Sequence, residues 1–230
     1  MASRIISLIG PPGSGKGTYG AMLASHLLNA SFLSVGDVLR EQAVTNEKLS
    51  TIMKTGELVD DGIVNEAVIH SLNNRSDKNV ILLDGYPRNK TQIQLLQTWP
   101  PELRPSFAFA LQIHVPGALC TQKILGRRKC TKCNKSFNVN GIDAGPYQMP
   151  PLLPEEGSCD VECNPDIDWE KREDDTEEII KKRFDVYTSL TKPILRYWRD
   201  EKKLIRFVPY KGIADFDKLL KLVQQRLSRS

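Results

Sequence analysis

The nine residues GPPGSGKGT at positions 10–18 decide the fold of this chain. They follow an apolar run at residues 4–9 and lead into a helical pattern that begins at Lys16. A strand that passes through a glycine-rich loop into a helix directs backbone N–H groups and the positive end of the helix dipole towards an anion. Lys16 can reach the outer phosphates of a polyphosphate, and the Thr18 hydroxyl can meet Mg²⁺. The stretch therefore predicts a binding loop for a nucleoside triphosphate. The loop residues are Gly13, Ser14, Gly15, Lys16, Gly17 and Thr18.

The composition is that of an ordinary soluble enzyme. The chain has 230 residues, of which 40% are hydrophobic and 26% charged, with a formal net charge of +4. This length suits one α/β domain with a small insert. The mild positive charge fits a phosphate ligand but does not by itself indicate nucleic acid. No apolar run is long enough to span a membrane, and the first strand pattern leaves no room for a targeting peptide. We therefore expect a cytoplasmic protein, or an organellar one if a targeting segment has been removed.

Strand patterns alternate with helical patterns along the chain. This alternation predicts a mostly parallel sheet covered by helices on both faces, which is a three-layer α/β fold. Such sheets place their ligands at the carboxyl ends of the strands. The predicted strands are residues 4–9, 32–35, 79–83, 107–115 and 203–208, and the predicted helices are residues 16–29, 36–45, 47–55, 61–74, 90–98, 117–125, 176–200 and 214–227.

Residues 129–168 interrupt this rhythm. The segment is rich in proline, glycine and lysine, so it cannot form a long helix, and a stretch of this kind inside a compact domain is typical of a functional lid. It also contains four of the five cysteines of the chain. In a reducing compartment a paired cluster favours a metal site over disulfides, whereas Cys120 in an apolar helical pattern indicates packing. The four clustered cysteines are Cys130, Cys133, Cys159 and Cys163.

Three further motifs follow the first loop in the chain. They are DGYPR at residues 84–88 after an apolar run, GRR at residues 126–128, and REDD at residues 172–175 with Arg183 beyond it. Together with the loop at residues 10–18, this set resembles the adenylate kinase branch of the nucleoside monophosphate kinases over about residues 4–226. The resemblance implies a P-loop nucleoside triphosphate hydrolase-like three-layer fold with two small inserts. It divides a single domain into a core (residues 1–33, 64–126 and 171–230), a monophosphate-binding module (residues 34–63) and a lid (residues 127–170).

The resemblance implies reversible phosphoryl transfer from Mg-ATP to AMP, which gives two ADP. Such a reaction relies on positioning and on cations that offset the charge of the transferring group, and arginine suits this task because it grips phosphates bidentately. By resemblance, Arg40 and Arg88 hold the acceptor phosphate, and Asp84 orients Mg²⁺ through its waters. The implied catalytic residues are Lys16, Asp84, Arg88, Arg127, Arg172 and Arg183, of which the last three close over the transferring group from the lid side.

The spacing of Arg172 and Arg183 is close to three helical turns. If the helix predicted at residues 176–200 extended back through Arg172, both arginines would face one ligand. Asp174 and Asp175 are expected at the start of this helix, where carboxylates suit the dipole. The resemblance adds that one of these carboxylates fixes an arginine.

The acceptor base is predicted from Gln92, one helical turn after Arg88. An amide can bind the amino group and a ring nitrogen of adenine together, so Gln92 favours AMP. Two residues depart from the family pattern: Val35 stands where AMP-specific members usually have threonine, and Asn89 resembles the pyrimidine-specific branch. A UMP/CMP kinase and a GMP acceptor therefore stay open as alternatives. The implied acceptor-site residues are Val35, Arg40, Glu57, Leu58, Val59, Gly85, Tyr86, Arg88, Gln92, Arg172 and Arg183.

The donor base is less well defined. Lys123 stands where many family members carry an arginine that stacks on the donor adenine, and lysine stacks less well. Gly212, in the loop after the last predicted strand, could let backbone carbonyls approach the base. A GTP:AMP phosphotransferase is therefore a second alternative. The implied donor-site residues are the loop residues named above together with Lys123, Arg127 and Gly212.

The lid resembles the variant lids of plant-type organellar adenylate kinases, because residues 150–154 read PPLLP and the second cysteine pair has three intervening residues. Four thiolates would suit a tetrahedral structural Zn²⁺, and unligated thiols on a lid held by its own hydrogen bonds are the alternative. A more distant possibility is a nucleic-acid-binding ATPase in which these cysteines form a zinc ribbon. We expect a monomer that binds ATP, AMP and ADP, with no nucleic acid or membrane partner.

Overall fold

The computed structural model describes residues 3–75, 77–99, 106–133, 135–154 and 168–229. Its centre is a sheet of five parallel strands in the spatial order β10-β4-β1-β3-β2. This order puts β1 between β3 and β4, so the loop after β1 leaves from the middle of the sheet. The predicted parallel sheet is confirmed. The strands in the described residues are β1 (Arg4–Ile9), β2 (Ala30–Ser34), β3 (Val80–Asp84), β4 (Ser106–Ile113), β5 (Arg127–Cys130), β6 (Ser136–Asn138), β7 (Ile142–Ala144), β8 (Tyr147–Met149), β9 (Trp169–Glu170) and β10 (Leu204–Phe207).

Most of the helices begin at a side chain that caps them. Ser34, Asn46, Asp60, Asn89 and Thr176 each accept a hydrogen bond from a backbone N–H of the first turn, which satisfies one of the donors that a helix start leaves without a partner. The α-helices in the described residues are α1 (Lys16–His26), α2 (Val35–Ala43), α3 (Glu47–Thr55), α4 (Asp61–Asn73), α5 (Lys90–Leu95), α6 (Gly117–Leu125), α7 (Glu177–Val186), α8 (Ile194–Asp200) and α9 (Phe216–Leu227).

The sheet is buried on both faces. Ile6 and Leu8 of β1 belong to a core cluster with Leu23 of α1 and Leu219 of α9, whereas Ile5 points into a second cluster with residues of α2, α3 and α4. A strand that is apolar on both sides is typical of a parallel sheet between two layers of helices. The predicted three-layer fold is therefore confirmed.

The helix predicted at residues 176–200 is wrong as a single element. The structure has α7, then a π-helical turn at Tyr187–Thr191, then α8. Pro193 explains the break, because proline has no N–H and its ring clashes with the carbonyl of the preceding turn. The chain adapts by widening that turn, and the Lys192 N–H donates to the Tyr187 carbonyl at 2.7 Å.

The predicted lid segment contains short strands rather than irregular structure alone. β5 pairs with β6 and β9 in an antiparallel sheet, and β7 and β8 form a hairpin. The rings of Phe137 and Trp169 stack with centroids 4.9 Å apart and join two strands of this small sheet. Among the described residues, no helix combines the length and the apolar character needed to cross a bilayer.

Candidate active site

The loop at residues 10–18 wraps around the amino group of Lys16. The Lys16 Nζ donates to the carbonyls of Gly10 at 2.9 Å and Pro11 at 3.1 Å. Burial lowers the pKa of Lys16, and the Asp84 carboxylate opposes this effect. The buried Ser14 hydroxyl makes no hydrogen bond within the described chain. The loop thus holds a cation and an unsatisfied polar group at the carboxyl end of β1.

Gly13 shows why this loop needs glycine. Its φ is +79°, and a Cβ built on it would lie 2.5 Å from the Cys120 carbonyl oxygen. A side chain at this position would be strained by the backbone conformation and would also collide with α6. The close contact fixes the loop against the helix that leads to the lid.

Asp84 and Arg88 lie at the carboxyl end of β3, beside the phosphate-binding loop. Asp84 pairs in register with Leu8 of β1, and its buried Oδ1 has no hydrogen-bond partner in the described residues. Burial lowers the pKa of the Arg88 guanidinium, while Asp84 opposes this shift and Arg40 adds to it. The structure therefore encloses a guanidinium and a carboxylate whose hydrogen bonds the protein itself leaves incomplete.

The lid-side arginines are held by two carboxylates. The Arg127 guanidinium pairs bidentately with the buried Asp175 carboxylate, with an Nε–Oδ2 distance of 2.8 Å. The Arg183 Nη1 donates to Asp174 Oδ2 at 3.0 Å. The resemblance implied that one of these carboxylates fixes an arginine, and in this structure both do.

Arg172 does not lie on the helix that contains Arg183. The helix begins at Glu177 behind the Thr176 cap, so Arg172, Asp174 and Asp175 lie in the preceding turn. The helix therefore does not extend back through Arg172, because Thr176 caps its start, and the shared helical face considered from the sequence does not form. The two arginines nevertheless point into one cluster.

All six cations predicted from the sequence meet in this cluster. Arg40 donates to Asp37 with an Nε–Oδ1 distance of 3.2 Å, and the Arg172 Nη2 lies 4.0 Å from the same oxygen. Burial lowers the pKa of Arg172, and the charges of Arg127 and Arg40 lower it further. Six cations against four carboxylates leave an excess of positive charge, which suits polyanionic ligands. The cations are Lys16, Arg40, Arg88, Arg127, Arg172 and Arg183, and the carboxylates are Asp37, Asp84, Asp174 and Asp175.

A cleft extends from this cluster towards α2, α3 and α4. One part of its lining is apolar, and the buried Gln92 side chain contributes an amide to it. Most of the predicted acceptor-site residues line the cleft, and the exceptions are Tyr86 and Arg172. The Tyr86 ring stacks on Trp99, and its hydroxyl donates to Asn65 Oδ1 at 2.8 Å. Arg172 lies beside Asp37 instead. The predicted residues in the lining are Lys16, Val35, Arg40, Glu57, Leu58, Val59, Gly85, Arg88, Gln92 and Arg183.

Lys123 and Gly212 both lie against Met149 of the β7–β8 hairpin. The Lys123 Nζ lies 3.9 Å from the Met149 sulfur, and a Cβ on Gly212 would lie 3.2 Å from the Met149 Cβ. The Gln148 N–H donates to the Tyr210 carbonyl at 2.8 Å. The β7–β8 hairpin therefore lies across the region predicted for the donor base.

The first cysteine pair forms a tight turn. Cys130 is buried at the end of β5, and the Cys133 N–H donates to its sulfur at 3.5 Å. Cys159 and Cys163 lie outside the described residues. Within the part of the chain that is described, no three His, Cys, Asp or Glu side chains come together as a metal site.

Four residues beside the cleft were not predicted as site residues. Asp37 holds two arginines, and Asp61 binds the Gln92 amide. Tyr187 and Thr191 of the π-helical turn line the cleft. Pro193 signals the unusual turn, but no local pattern indicates that Asp37 or Asp61 would contact residues distant in the chain.

The glycine-rich loop at residues 10–18 and the cleft beside α2, α3 and α4 meet at one cationic cluster. This arrangement defines the class of protein: a P-loop enzyme that brings two phosphorylated ligands together. Comparison with known proteins narrows the class. The family model described as adenylate kinase matches residues 8–203, and the chain belongs to this family. It is a phosphotransferase, and the reaction that defines the family is phosphoryl transfer to AMP.

Individual relatives agree with this assignment. The chain is similar to a "GTP:AMP phosphotransferase" of Plasmodium falciparum (isolate 3D7), with 34% identity over 92% of each chain. It is 33% identical to an "Adenylate kinase" of Thermosipho melanesiensis over 97% of this chain and 99% of the relative. It is also 37% identical to an "Adenylate kinase" of Caldicellulosiruptor bescii over 92% of this chain and 94% of the relative. The family predicted from the sequence is confirmed.

Proposed function

We propose that this protein transfers the γ-phosphoryl group of Mg-ATP to AMP in one closed site and releases two ADP. The observation that supports this most strongly is the convergence of six cations from distant parts of the chain on one cluster beside the cleft. Phosphoryl transfer requires this arrangement, because two nucleotides with several negative charges must be brought together.

The donor phosphates would lie in the loop at residues 10–18. The Lys16 amino group would exchange its contacts with two loop carbonyls for phosphate oxygens, and the Ser14 hydroxyl would gain a partner. Mg²⁺ fits beside this loop, because the buried Asp84 Oδ1 lacks a partner in the described residues and the Thr18 hydroxyl follows Lys16. The ion would offset charge on the donor oxygens when bound.

The acceptor would lie in the cleft beside α2, α3 and α4. Arg40 and Arg88 would bind its phosphate, and the apolar wall with Gln92 would bind its base. Because Gln92 has both a donor and an acceptor, it suits the amino group and ring nitrogen of adenine. Residues 34–63 would form the module that closes on this nucleotide.

The transferring group would be enclosed by Arg127, Arg172 and Arg183. Asp174 and Asp175 hold two of these side chains in position, so the arginines need to move less when negative charge develops on the transferring phosphoryl group. The lid at residues 127–170 would exclude water, which would otherwise take the phosphoryl group. Lid movement would then contribute to the turnover rate.

We further propose a structural Zn²⁺ in the lid, bound by Cys130, Cys133, Cys159 and Cys163. The turn in which the Cys133 N–H faces the Cys130 sulfur suits a thiolate, because the N–H stabilises its negative charge. The ion would stabilise the lid and take no part in the chemistry. Elemental analysis of the purified protein should find about one zinc per chain, and Cys130→Ser should lower this value and the melting temperature. A metal-free wild-type protein with the same melting temperature would contradict the proposal.

The function is tested with a panel of donors and acceptors. ATP and GTP are each offered with AMP, CMP, UMP or no acceptor, and the products are separated by chromatography. Rapid ADP formation from ATP and AMP, with little reaction of the pyrimidine nucleotides, supports the proposal. Faster reaction with UMP or CMP would refute the proposed binding of adenine by Gln92. No transfer to any monophosphate would refute the proposed reaction.

A second candidate is a phosphotransferase that prefers GTP as donor. Lys123 stands in place of a stacking arginine, and its Nζ lies 3.9 Å from the sulfur of Met149 in the β7–β8 hairpin. The similar Plasmodium protein is named "GTP:AMP phosphotransferase", and its name describes this second candidate function. A higher kcat/KM for GTP than for ATP in the same panel would support it.

The remaining expectations concern the state of the protein in solution. We propose a monomer with no nucleic-acid partner and a cytoplasmic or organellar location. Light scattering would test the first point, and salt-dependent binding of an oligonucleotide would contradict the second.

A further inference from the structure

Three polar side chains beside the acceptor cleft form one hydrogen-bonded group. The Asp61 carboxylate, in the first turn of α4, accepts from the Gln92 Nε2 at 2.7 Å. It also accepts from the Asn89 Nδ2, at 3.0 Å and 3.1 Å from its two oxygens. Asn89 in turn accepts the backbone N–H of Gln92 at 2.8 Å. On the other side, the Gln92 Oε1 accepts the backbone N–H of Arg88 at 2.6 Å.

These contacts determine which way the Gln92 amide faces. A carboxylate only accepts hydrogen bonds, and a backbone N–H only donates them. Rotation of the amide by half a turn would place its oxygen against the Asp61 oxygens and its NH₂ group against the Arg88 N–H. Gln92 is only 3% exposed, so water cannot replace the two lost bonds. One orientation of the amide is therefore strongly preferred.

The same orientation has a consequence for the base. Each polar atom of the Gln92 amide uses one of its two hydrogen-bonding positions within the protein, which leaves one N–H and one lone pair. Adenine presents an amino donor beside a ring-nitrogen acceptor, whereas hypoxanthine presents a carbonyl acceptor beside an N–H donor. A held amide can match the first pattern, and it would have to rotate to match the second.

We propose that Asp61 is a positioning residue that makes the acceptor site choose 6-aminopurine over 6-oxopurine monophosphates. The inference rests on the proposed binding of the acceptor base by Gln92 and extends it to the residues behind that amide. Val35 lines the cleft with an apolar side chain, so it offers no second hydrogen bond to the base. The choice between 6-aminopurine and 6-oxopurine then depends on Gln92 and on the groups that fix its amide, Asp61 and the Arg88 N–H.

The test compares AMP and IMP as acceptors for the wild type and the Asp61→Asn variant, with saturating Mg-ATP. An asparagine side chain also donates, so it can pair with a rotated Gln92 amide. We expect the ratio of kcat/KM for AMP to that for IMP to fall about tenfold, as expected for the loss of one charge-assisted hydrogen bond. The change should come mainly from KM. An equal loss for both acceptors would indicate a structural role only and would overturn the proposal.

Two further variants make the result specific. Asp60→Asn removes the same charge one residue earlier; Asp60 caps α4 through the N–H groups of Gly62 and Ile63, and asparagine preserves that cap. Its AMP:IMP ratio should equal that of the wild type. Asn89→Ser keeps an acceptor for the start of α5 but removes the hydrogen bonds to Asp61. Its AMP:IMP ratio should therefore also fall, but by less than that of Asp61→Asn.

Failure of the proposed function and failure of the Asp61 role would give different results. A wild-type enzyme that does not prefer AMP would contradict the proposed function itself. A wild-type enzyme that prefers AMP, with a ratio unchanged in Asp61→Asn and Asn89→Ser, would leave the proposed function in place and refute the positioning role.

Discussion

Replacement of Arg88 by alanine separates the catalytic contribution of the cationic cluster from its contribution to the fold. The Arg88 guanidinium makes no hydrogen bond or ion pair with any other part of the described chain, although its backbone N–H binds Gln92. Burial lowers the pKa of this group, which means that the folded protein disfavours its charge. The burial cost that is removed and the attraction to Asp84 that is lost oppose each other, so the alanine variant should change the free energy of unfolding little.

The effect on catalysis should be large. Arg88 lies with Asp84 at the carboxyl end of β3, where it would bind the acceptor phosphate and offset charge on the transferring group. Loss of one such group costs on the order of a thousandfold in kcat/KM, or ~4 kcal/mol of transition-state stabilisation. Arg88→Lys keeps the charge but not the fork of donors, so it should recover only part of this loss.

The assay measures ADP formation from ATP and AMP, and urea denaturation gives the free energy of unfolding of the same samples. Arg196→Ala is the matched control, because Arg196 is an arginine of α8 whose side chain is 85% exposed. It should change neither quantity. Near-normal activity of Arg88→Ala, or a loss of activity that merely follows a loss of stability, would refute the reasoning.

Three other predictions follow from the same geometry. Asp175→Asn leaves the Arg127 guanidinium without its charged partner, so the free energy of unfolding should fall by about 3 kcal/mol; an unchanged urea midpoint would contradict this. Gly13→Ala introduces a Cβ that would lie 2.5 Å from the Cys120 carbonyl oxygen, and calorimetry should detect no ATP binding, whereas normal affinity would contradict the role of the loop. Burial lowers the pKa of Lys16 in the ligand-free protein and phosphates should raise it, so ATP binding at alkaline pH should take up a proton and weaken as pH rises. Titration calorimetry in two buffers of different ionisation enthalpy measures this proton, and its absence would contradict the prediction.

The local elements were predictable because their signals are local. The helix at Glu47–Thr55 was predicted with its observed bounds, since Asn46 caps its start and Gly56 adopts a left-handed conformation at its end. The passage from β1 through the glycine-rich loop into α1 was equally predictable, because the glycines, the lysine and the flanking strand and helix all lie within a few residues of one another.

Other features depend on contacts that a local pattern does not contain. A helix extended back through Arg172 would have brought Arg172 and Arg183 together, but their convergence arises from a turn in which Asp174 and Asp175 face the arginines. Helical spacing did not predict their positions, because the helix begins at the Thr176 cap and Arg172 lies before it.

The group around Asp61 illustrates the same limit at longer range. Asp61 and Gln92 are separated by 31 residues and belong to different helices. The sequence suggested that Asn89 resembles the pyrimidine-specific branch, whereas in the structure its side chain caps α5 and binds Asp61. A residue type alone could not distinguish a group that contacts the base from one that holds another side chain.

The most direct measurement follows the γ-phosphoryl group itself. The protein is mixed with AMP and with ATP labelled at its γ-phosphoryl, and the reaction is stopped within one turnover. The account predicts that the label appears in ADP formed from AMP, with very little in inorganic phosphate. Label that appears in inorganic phosphate, whether or not AMP is present, would show an ATP hydrolase and would contradict the account.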